Sequence, residues 1–214
     1  MLEVKNITFS FGKERVIDNL SLTLEKGKAY CIMGASGVGK TTLLRVLSGL
    51  LKPQSGKVLH DESLTKTFIF QENRLLPHLS IYDNIKFVTD DEKKIAEALR
   101  STSLFAEKDK SADELSGGMA RRAAIARAAA HDGDVFFIDE PLYGLDVKTS
   151  EEILSLIKST ISGKTAVIIT HSPEEAFYLA DEIIFLKEKP VSEAVIIEKC
   201  RFNDAESIKS YLLA

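Results

Sequence analysis

Apolar and polar residues alternate along the first part of the chain, a pattern typical of half-buried β-strands. The apolar or aromatic positions are Val4, Phe9, Phe11, Leu20, Leu22 and Leu24. Because successive side chains of a strand point to opposite faces, the three leucines would lie together on one face. We therefore predict β-structure over residues 2–24, followed by a turn at residues 25–28.

Short apolar runs later in the chain predict further strands. Residues 135–138 are apolar at every position, as expected for a parallel strand buried on both faces. The predicted strands cover residues 29–33, 57–60, 67–70, 135–138, 166–170, 182–187 and 195–197. No strand is predicted between residues 72 and 134, so this part of the chain is expected to be helical.

Several segments between these strands have apolar residues at helical spacing or are rich in helix formers. The predicted helices run from the glycine-rich loop to Gly49, over residues 92–100, 116–130, 149–161 and 173–180, and after Asp204. Strands that alternate with helices predict an α/β fold with a mostly parallel sheet flanked by helices. We predict a single domain over residues 1–214, with a core of residues 1–71 and 131–214 and a helical insert at about 72–130.

The composition predicts a folded protein without a nucleic-acid partner. The 214 residues are 44% hydrophobic and 28% charged, which suffices for a sizeable core. The net charge of −4 gives no bulk attraction to nucleic acid or acidic lipid. Arg121, Arg122 and Arg127 form a local basic cluster, which we expect to be a solvated helix face or to form ion pairs.

The cysteines and the apolar segments indicate a reducing compartment. Cys31 lies in an apolar run and is expected to be buried, and the distant Cys200 makes neither a disulfide framework nor a zinc site with it. The chain starts without a signal segment, and no stretch approaches the roughly 18 apolar residues of a membrane span. A role at a membrane would therefore depend on a partner.

A glycine-rich loop follows the predicted strand 29–33. The sequence Gly34-Ala35-Ser36-Gly37-Val38-Gly39-Lys40-Thr41 fits the pattern G-x-x-x-x-G-K-[ST], and Thr42 continues it into a helical segment. Glycines let the backbone approach phosphate oxygens, and the helix N-terminus adds positive potential. Lys40 would reach the β- and γ-phosphates, and the Thr41 hydroxyl would bind Mg²⁺. The alternative is a glycine-rich turn with a solvated lysine.

Polar residues at the ends of three predicted strands could complete this site, because carboxyl ends of parallel strands border the ligand crevice. Asp139 is suited to hold water on Mg²⁺, and Glu140 could act as general base towards an attacking water. His171 would bind the γ-phosphate and orient the water. Gln71 could ligate Mg²⁺ and sense the γ-phosphate. Each of these residues alone is a weak signal.

Together with one further motif, these residues resemble the ATP-binding cassette (ABC) ATPases, the nucleotide-binding subunits of ABC transporters. The further motif is Leu115-Ser116-Gly117-Gly118-Met119, and Leu145-Asp146 follows later. The signature combined with the phosphate loop separates this family from kinases, GTPases and helicases. The resemblance covers about residues 2–187. It implies a P-loop NTPase core of the ABC type with an N-terminal antiparallel β subdomain and an inserted, shortened helical subdomain.

The resemblance also implies ATP and Mg²⁺ as ligands. The implied nucleotide-binding residues are Phe11, Val16, Gly34, Ala35, Ser36, Gly37, Val38, Gly39, Lys40, Thr41, Thr42, Gln71, Ser116, Gly117, Gly118 and Asp146. Phe11 would stack on adenine beside Val16, although ordinary core packing is an alternative for Phe11. Ser116 and Gly118 would contact a γ-phosphate held by another subunit, and Asp146 would lie between the two sites. Single copies of the motifs imply a homodimer, or a pseudo-symmetric dimer with a second cassette.

The segment of residues 70–85 is similar to that of bacterial importer cassettes, nearest those for nitrate, sulfonate and taurine. This resemblance implies a permease contact through Leu75, Leu76, Pro77 and Leu79, with a core-facing loop as the alternative. It implies a cytoplasmic ATP hydrolase, peripheral on the inner face of the membrane, that energises solute transport. Met119 replaces the more common Gln of the signature, and residues 188–214 match no regulatory domain of the sugar-importer type.

Two other functions fit parts of the pattern. A non-transport ABC ATPase would act on soluble partners, and a P-loop small-molecule kinase would transfer phosphate to an acceptor. The kinase interpretation leaves the Ser116-Gly117-Gly118 signature unexplained. The transported solute cannot be derived from the chain, because solute specificity belongs mostly to other subunits.

Overall fold

The computed structural model describes residues 1–61 and 63–213. The strands are β1 (Leu2–Phe11), β2 (Glu14–Leu24), β3 (Ala29–Gly34), β4 (Ser55–His60), β5 (Lys66–Ile69), β6 (Val135–Asp139), β7 (Thr165–Ile169), β8 (Glu182–Leu186) and β9 (Ala194–Glu198). The α-helices are α1 (Lys40–Leu47), α2 (Ile81–Lys86), α3 (Glu92–Ser101), α4 (Gly117–His131), α5 (Val147–Thr160), α6 (Pro173–Leu179) and α7 (Ala205–Leu213). Short 3₁₀ turns cover Phe105–Glu107, Ala112–Glu114 and Lys199–Arg201.

The strands form two sheets. A three-stranded antiparallel sheet has the order β2-β1-β4, and a six-stranded sheet has the order β5-β6-β7-β3-β8-β9. In the larger sheet β5, β6, β7, β3 and β8 are parallel, and β9 pairs antiparallel with β8. The predicted mostly parallel sheet and N-terminal antiparallel part are therefore confirmed. All parallel strands end at one edge, which places their carboxyl ends beside the start of α1.

Each face of the larger sheet has its own apolar core. On one face, alternate residues of β3 such as Tyr30 and Ile32 pack with α1 and with the small sheet. On the other face, Cys31 and Met33 pack with α5, α6 and α7. Burial on both faces explains why these strands are apolar at nearly every position. The expected burial of Cys31 is confirmed.

The segment between β5 and β6 is helical, as predicted, and it has a third apolar cluster. Helices α2, α3 and α4 pack together through buried residues that include Ile81, Ile95 and Leu99. Helix α4 belongs to two clusters, because Ile125 lies in the core of the larger sheet while Ala126 lies in the helical cluster. A rigid helix thus joins the insert to the sheet. The predicted division at residues 71/72 and 130/131 stays a prediction.

The helices differ from the predicted ones mainly at their ends and in α2, which the pattern did not predict. This helix has only six residues, too few for a clear apolar period, and Ser80 caps it by accepting the Asp83 N–H. Pro173 occupies the first turn of α6, as expected. Within the described ranges, every helix is too short or too polar to cross a membrane.

Candidate functional site

The glycine-rich loop connects β3 to α1, and two of its glycines are required by their surroundings. Gly34 has φ +151°, and a Cβ there would lie 2.4 Å from the Leu186 carbonyl oxygen. Gly39 has φ +121°, and a Cβ there would lie 2.9 Å from Cγ1 of Val16. Glycine is therefore the residue that allows this path of the chain. The loop backbone remains open towards the solvent, where a ligand could approach its N–H groups.

Lys40 lies inside this loop, with 6% of the residue exposed. Its ammonium donates hydrogen bonds to the carbonyl oxygens of Gly34 (2.9 Å) and Ala35 (3.0 Å). Burial lowers the pKa of Lys40, while the carboxylates of Glu140 and Asp139 oppose this effect. Both hydrogen-bond acceptors are uncharged, so neither of them neutralises a positive charge on Lys40 that an anionic ligand could meet.

Thr41 and Asp139 bring oxygen atoms together beside Lys40. Asp139 is the last residue of β6, and the Thr41 side chain lies near enough to its carboxylate to affect its pKa. The pKa of Asp139 is raised, chiefly by burial and then by the negative charge of Glu140, against the opposing effects of Arg45 and Thr41. Hydroxyl and carboxylate oxygens are the ligands that Mg²⁺ prefers. Among the described residues, no group of three or more His, Cys, Asp and Glu could by itself hold a metal ion.

Three of the predicted catalytic and sensing residues meet at the carboxyl ends of neighbouring strands. Glu140 lies 2.7 Å from His171, measured between Oε1 and Nε2. The amide of Gln71 donates to Oε2 of Glu140 over 3.4 Å. His171 is exposed and Glu140 is partly buried, so this cluster borders the solvent. The structure therefore brings together a carboxylate, an imidazole and an amide beside the glycine-rich loop.

These residues border a cleft of about 250 Å³. Its lining comprises Phe11, Val16, Ser36, Gly37, Gly39, Lys40, Thr41, Thr42, Glu140, His171 and Lys189. Phe11 is 50% exposed at the end of β1, and its ring meets that of Phe9 edge-on at 4.9 Å. The alternative that Phe11 is ordinary core is therefore wrong. Val16 and Val38 are buried, so Val38 contributes its backbone to the loop while its side chain packs inside.

A larger cavity, of about 540 Å³, lies at the other end of the sheet. It is lined by Gly27, Lys158, Gly163 and Asp181 among others, near the amino ends of the strands. None of the predicted site residues borders it. Volume alone therefore does not mark the functional site, and the position of the polar groups does.

The signature residues lie away from this cleft, at the start of α4. Ser116 caps the helix by accepting the Met119 N–H, and Gly117 and Ser116 are exposed. A Cβ on Gly117 would meet no atom within 4 Å, whereas one on Gly118 would lie 3.1 Å from Cγ2 of Thr149. The signature thus presents free backbone N–H groups on an open surface.

Asp146 lies beside the signature rather than in the cleft. Its carboxylate caps α5 by accepting the N–H of Thr149 at 3.0 Å and the Thr149 hydroxyl at 2.6 Å. These hydrogen bonds lower the pKa of Asp146. Because Thr149 also contacts the position of Gly118, the structure brings Asp146 and the signature together. Its predicted role at the interface between two sites stays a prediction.

The sequence interpretation of the arginine cluster was partly wrong. Arg121 is buried, and Arg127 is partly buried and donates to the carbonyl oxygens of Arg74 and Asn73. Only Arg122 forms the expected ion pair, with Glu152. Helix α4 lies against the loops that carry Gln71 and Glu140, and Arg121 and Arg127 point towards carbonyl oxygens there. A sequence pattern does not reveal such backbone acceptors.

The sequence also gave no reason to select Lys189. It belongs to the loop between β8 and β9, which is tied to β2 by backbone hydrogen bonds from Val191 N to Val16 O (2.8 Å) and from Asp18 N to Val191 O (2.9 Å). Lys189 forms an ion pair with Glu14 and lines the cleft near Phe11. Only folding brings it near a loop that lies far away in the chain.

Comparison with known proteins identifies the family of the chain. The sequence profile of the family described as ABC transporter matches residues 17–143. The Fe(3+) ions import ATP-binding protein FbpC 1 of Haemophilus influenzae is 36% identical over 211 residues, which cover 90% of this chain and 64% of that protein. The spermidine/putrescine import ATP-binding protein PotA of Acetivibrio thermocellus is 34% identical over 212 residues, which cover 90% of this chain and 60% of that protein.

A solved structure extends the similarity to the fold. A dimeric ATP-binding cassette in a post-hydrolysis state with bound ADP and Pi has a TM-score of 0.76 and 31% identity. The alignment covers 91% of this chain and 98% of that chain. The family predicted from the motifs is confirmed by the profile match: this chain belongs to the ABC transporter family.

Proposed function

We propose that this chain binds ATP with Mg²⁺, hydrolyses it, and thereby energises solute import as a subunit of an ABC membrane transporter. The observation that carries this proposal is the cluster of Glu140, His171 and Gln71 at the edge of the glycine-rich loop. An ATP-binding module without hydrolysis would not need a carboxylate with an imidazole and an amide at this position. The names of the relatives, which are import ATP-binding proteins, support the transport role.

Each residue of the cleft has a chemical task in this proposal. The phosphates lie along the loop, where Lys40 and the N–H groups at the start of α1 attract their negative charge. Glu140 accepts a proton from the attacking water, and His171 holds the γ-phosphate and the water in line. The Phe11 ring, half exposed at the far end of the cleft, stacks on the adenine.

The oxygen atoms near Lys40 fit a magnesium ion. The Thr41 hydroxyl and the Asp139 carboxylate lie close to each other, and Gln71 would add an amide oxygen. When bound, Mg²⁺ would neutralise charge on the β- and γ-phosphates. Burial and the negative charge of Glu140 raise the pKa of Asp139 despite the opposing charges of Arg45 and Lys40, and a bound cation would favour the ionised carboxylate.

A second copy of the chain, or a related cassette, would complete each site. Ser116 and Gly117 are exposed, and the start of α4 offers backbone N–H groups to an anion. In this proposal Ser116 and Gly118 contact the γ-phosphate bound to the other subunit, with Asp146 between the two sites. The dimeric cassette that resembles this chain supports such an arrangement.

The proposed permease contact lies on the loop before α2. Asn84 is buried and fixes this loop: its amide donates to the carbonyl oxygens of Leu76, Leu79 and Ser80, and its Oδ1 accepts the Leu76 N–H. Leu76 is 39% exposed although its backbone is held. A rigid loop with an outward apolar side chain suits a helix of a membrane subunit. The chain would thus be held at the inner face of the membrane.

The catalytic proposal is tested by the Glu140→Gln variant. The amide cannot accept the proton, so phosphate release should fall by about 10²–10⁴-fold while ATP still binds. Free phosphate is measured without any acceptor molecule, because a small-molecule kinase would need one. The exposed Glu188→Gln variant serves as the control. Unchanged phosphate release in Glu140→Gln would remove Glu140 as the base.

The transport proposal needs a separate experiment. Detergent-solubilised membranes from cells that express the tagged chain should yield a membrane-embedded permease with the wild type. Leu76→Asp should lose this partner, whereas Leu59→Asp should retain it, because both leucines are 39% exposed but Leu59 lies on β4. Capture of soluble partners alone would instead indicate a non-transport ABC ATPase.

A further inference from the structure

Arg121 is a charged side chain in the interior of the molecule. It lies in the second turn of α4, and only 2% of the residue is exposed. Burial lowers the pKa of its guanidinium to about 10, a value at which the group stays protonated near neutral pH. A buried cation of this kind requires hydrogen-bond acceptors around it.

These acceptors all belong to the two loops that carry Gln71 and Glu140. The guanidinium donates to the carbonyl oxygens of Phe70 (2.6 Å), Glu140 (3.1 Å) and Pro141 (2.5 Å). It also donates to the Asn73 side chain over 3.3 Å. The loop after β5 and the loop after β6 are therefore both attached to one planar group, which is itself part of a rigid helix.

The backbone of Glu140 gives this contact a specific consequence. Glu140 has φ +43°, in the left-handed region that residues other than glycine rarely adopt. Such a conformation persists only where the surroundings fix it. The Glu140 N–H donates to Ile169 O at 3.0 Å, and Arg121 binds the next two carbonyl oxygens. The direction of the Glu140 side chain thus depends on Arg121.

We propose that Arg121 is a positioning residue for hydrolysis, which holds Glu140 and Gln71 in their mutual geometry and links both to the signature end of α4. This inference rests on the proposed function of Glu140 as the base. Arg121 is five residues after Ser116, which is about 7.5 Å along a helix. A movement of the signature against a phosphate would therefore be passed to the loops that orient the attacking water.

The neighbouring arginine offers a matched control. Arg122 lies on the same helix but forms an ion pair with Glu152 on α5, and it contacts neither loop in the hydrogen bonds of the described residues. Arg121→Lys retains the charge but cannot form the planar set of hydrogen bonds. Arg122→Lys makes the same chemical change without affecting Glu140 or Gln71. Any difference between the two variants therefore reports on the loops.

The first measurement is steady-state hydrolysis together with nucleotide affinity. Arg121→Lys should lower kcat by about 10- to 100-fold, because a displacement of about 1 Å at a catalytic group has effects of this size. KM and the Kd for ATP should not change, because none of the hydrogen bonds of Arg121 within the described residues goes to Lys40 or the glycine-rich loop. Arg122→Lys should leave all three values unchanged. An unchanged kcat in Arg121→Lys would overturn the inference.

A double-mutant cycle separates positioning from a general loss of stability. In the Glu140→Gln background the side chain to be positioned is already inactive, so adding Arg121→Lys should lower the residual single-turnover rate no further. An equal fold-loss in both backgrounds would show that Arg121 acts only on the fold, and would overturn the inference. Asn73→Ala, which removes one acceptor of Arg121 on a surface loop, should lower kcat slightly without affecting folding, and no loss there would count against the inference.

The outcomes also distinguish this inference from the proposed function. If the wild-type chain releases no phosphate from ATP, the proposed function itself fails. If the wild type and Arg122→Lys hydrolyse ATP, Glu140→Gln does not, and Arg121→Lys matches the wild type, only the role of Arg121 is wrong.

Discussion

The glycine-rich loop and the signature both contain glycines and both precede a helix. They differ in how many contacts they make with other elements of the chain. The loop is surrounded by residues from other elements: Val16 packs on Gly39, Asp139 contacts Thr41, and Glu140 stands beside His171. At the signature, the hydrogen bonds that Ser116 forms within the described part of the chain are with its own helix, and Gly117 faces open space. One half of the proposed site is therefore formed by contacts within a single chain, while the other half is an exposed surface at the signature.

Variants that disable either the loop or the signature should cause the greatest losses of ATP binding or hydrolysis. Lys40→Met removes the buried ammonium, so ATP affinity should fall about 10- to 100-fold, the loss expected for a hydrogen bond to a charged group. Gly117→Glu should leave this affinity unchanged in the monomer, because Gly117 lies away from the cleft and a Cβ there would meet no atom of the described residues within 4 Å. Its carboxylate should nevertheless repel the phosphate of a partner and abolish hydrolysis. Fluorescent-nucleotide binding and phosphate release measure the two effects.

Mixing these two variants sharpens the test. A dimer of one Lys40→Met chain and one Gly117→Glu chain contains one intact loop facing one intact signature. The mixture should recover up to about a quarter of the wild-type rate, because half of randomly paired dimers are mixed and each has one good site. The assay uses ATP near the wild-type Kd, where Lys40→Met binds little nucleotide, so each variant alone should show little hydrolysis. No gain on mixing would contradict a site shared between two chains.

A smaller effect is expected at the base end of the cleft. Phe11→Ala should weaken ATP binding about tenfold, since stacking of an aromatic ring on a base contributes about 1–3 kcal/mol. Binding of inorganic tripolyphosphate, which lacks a base, should not change. Phe105→Ala is a suitable control, because Phe105 is similarly exposed on the helical insert. Equal losses for ATP and tripolyphosphate would show that Phe11 acts through the loop rather than on the base.

The smallest effect concerns Lys189, which the fold alone brings to the cleft. Lys189→Ala should weaken ATP binding about two- to fivefold, the size expected for a partly exposed charge. The effect should shrink at high salt, because screening weakens exposed charges. Lys187→Ala, in the same loop but outside the cleft lining, should bind ATP like the wild type. Indistinguishable affinities of the two variants would exclude Lys189 from the nucleotide site.

The successes of sequence analysis follow from locality. The glycine-rich loop was predictable because eight consecutive residues form it, and its chemistry depends on backbone groups close in the chain. The parallel strands were predictable because burial on both faces makes each of them apolar throughout. Gln71, Asp139, Glu140 and His171 were placed correctly at one edge, since parallel strands share the direction of their carboxyl ends.

The errors concern side chains whose partners are distant in the chain. Arg121 was predicted to be part of a solvated face, but it donates to backbone carbonyl oxygens in two loops. Every residue has a carbonyl group, so the sequence does not indicate which of them accept hydrogen bonds from an arginine. Helix α2 has only six residues, so its buried pair Ile81 and Ile85 is too short an apolar pattern to predict a helix. Lys189 reaches the cleft through backbone pairing with β2.

The phosphate-type loop, the family and the succession of strands and helices, except α2, could be predicted from the amino-acid order, because these depend on neighbours within a few positions. Only the tertiary structure decided that Phe11 is half exposed in a cleft, that Asp146 lies with the signature, and that Arg121 holds the strained backbone of Glu140. The physical reason is that burial of a charge and fixation of a left-handed residue depend on atoms contributed by several elements at once.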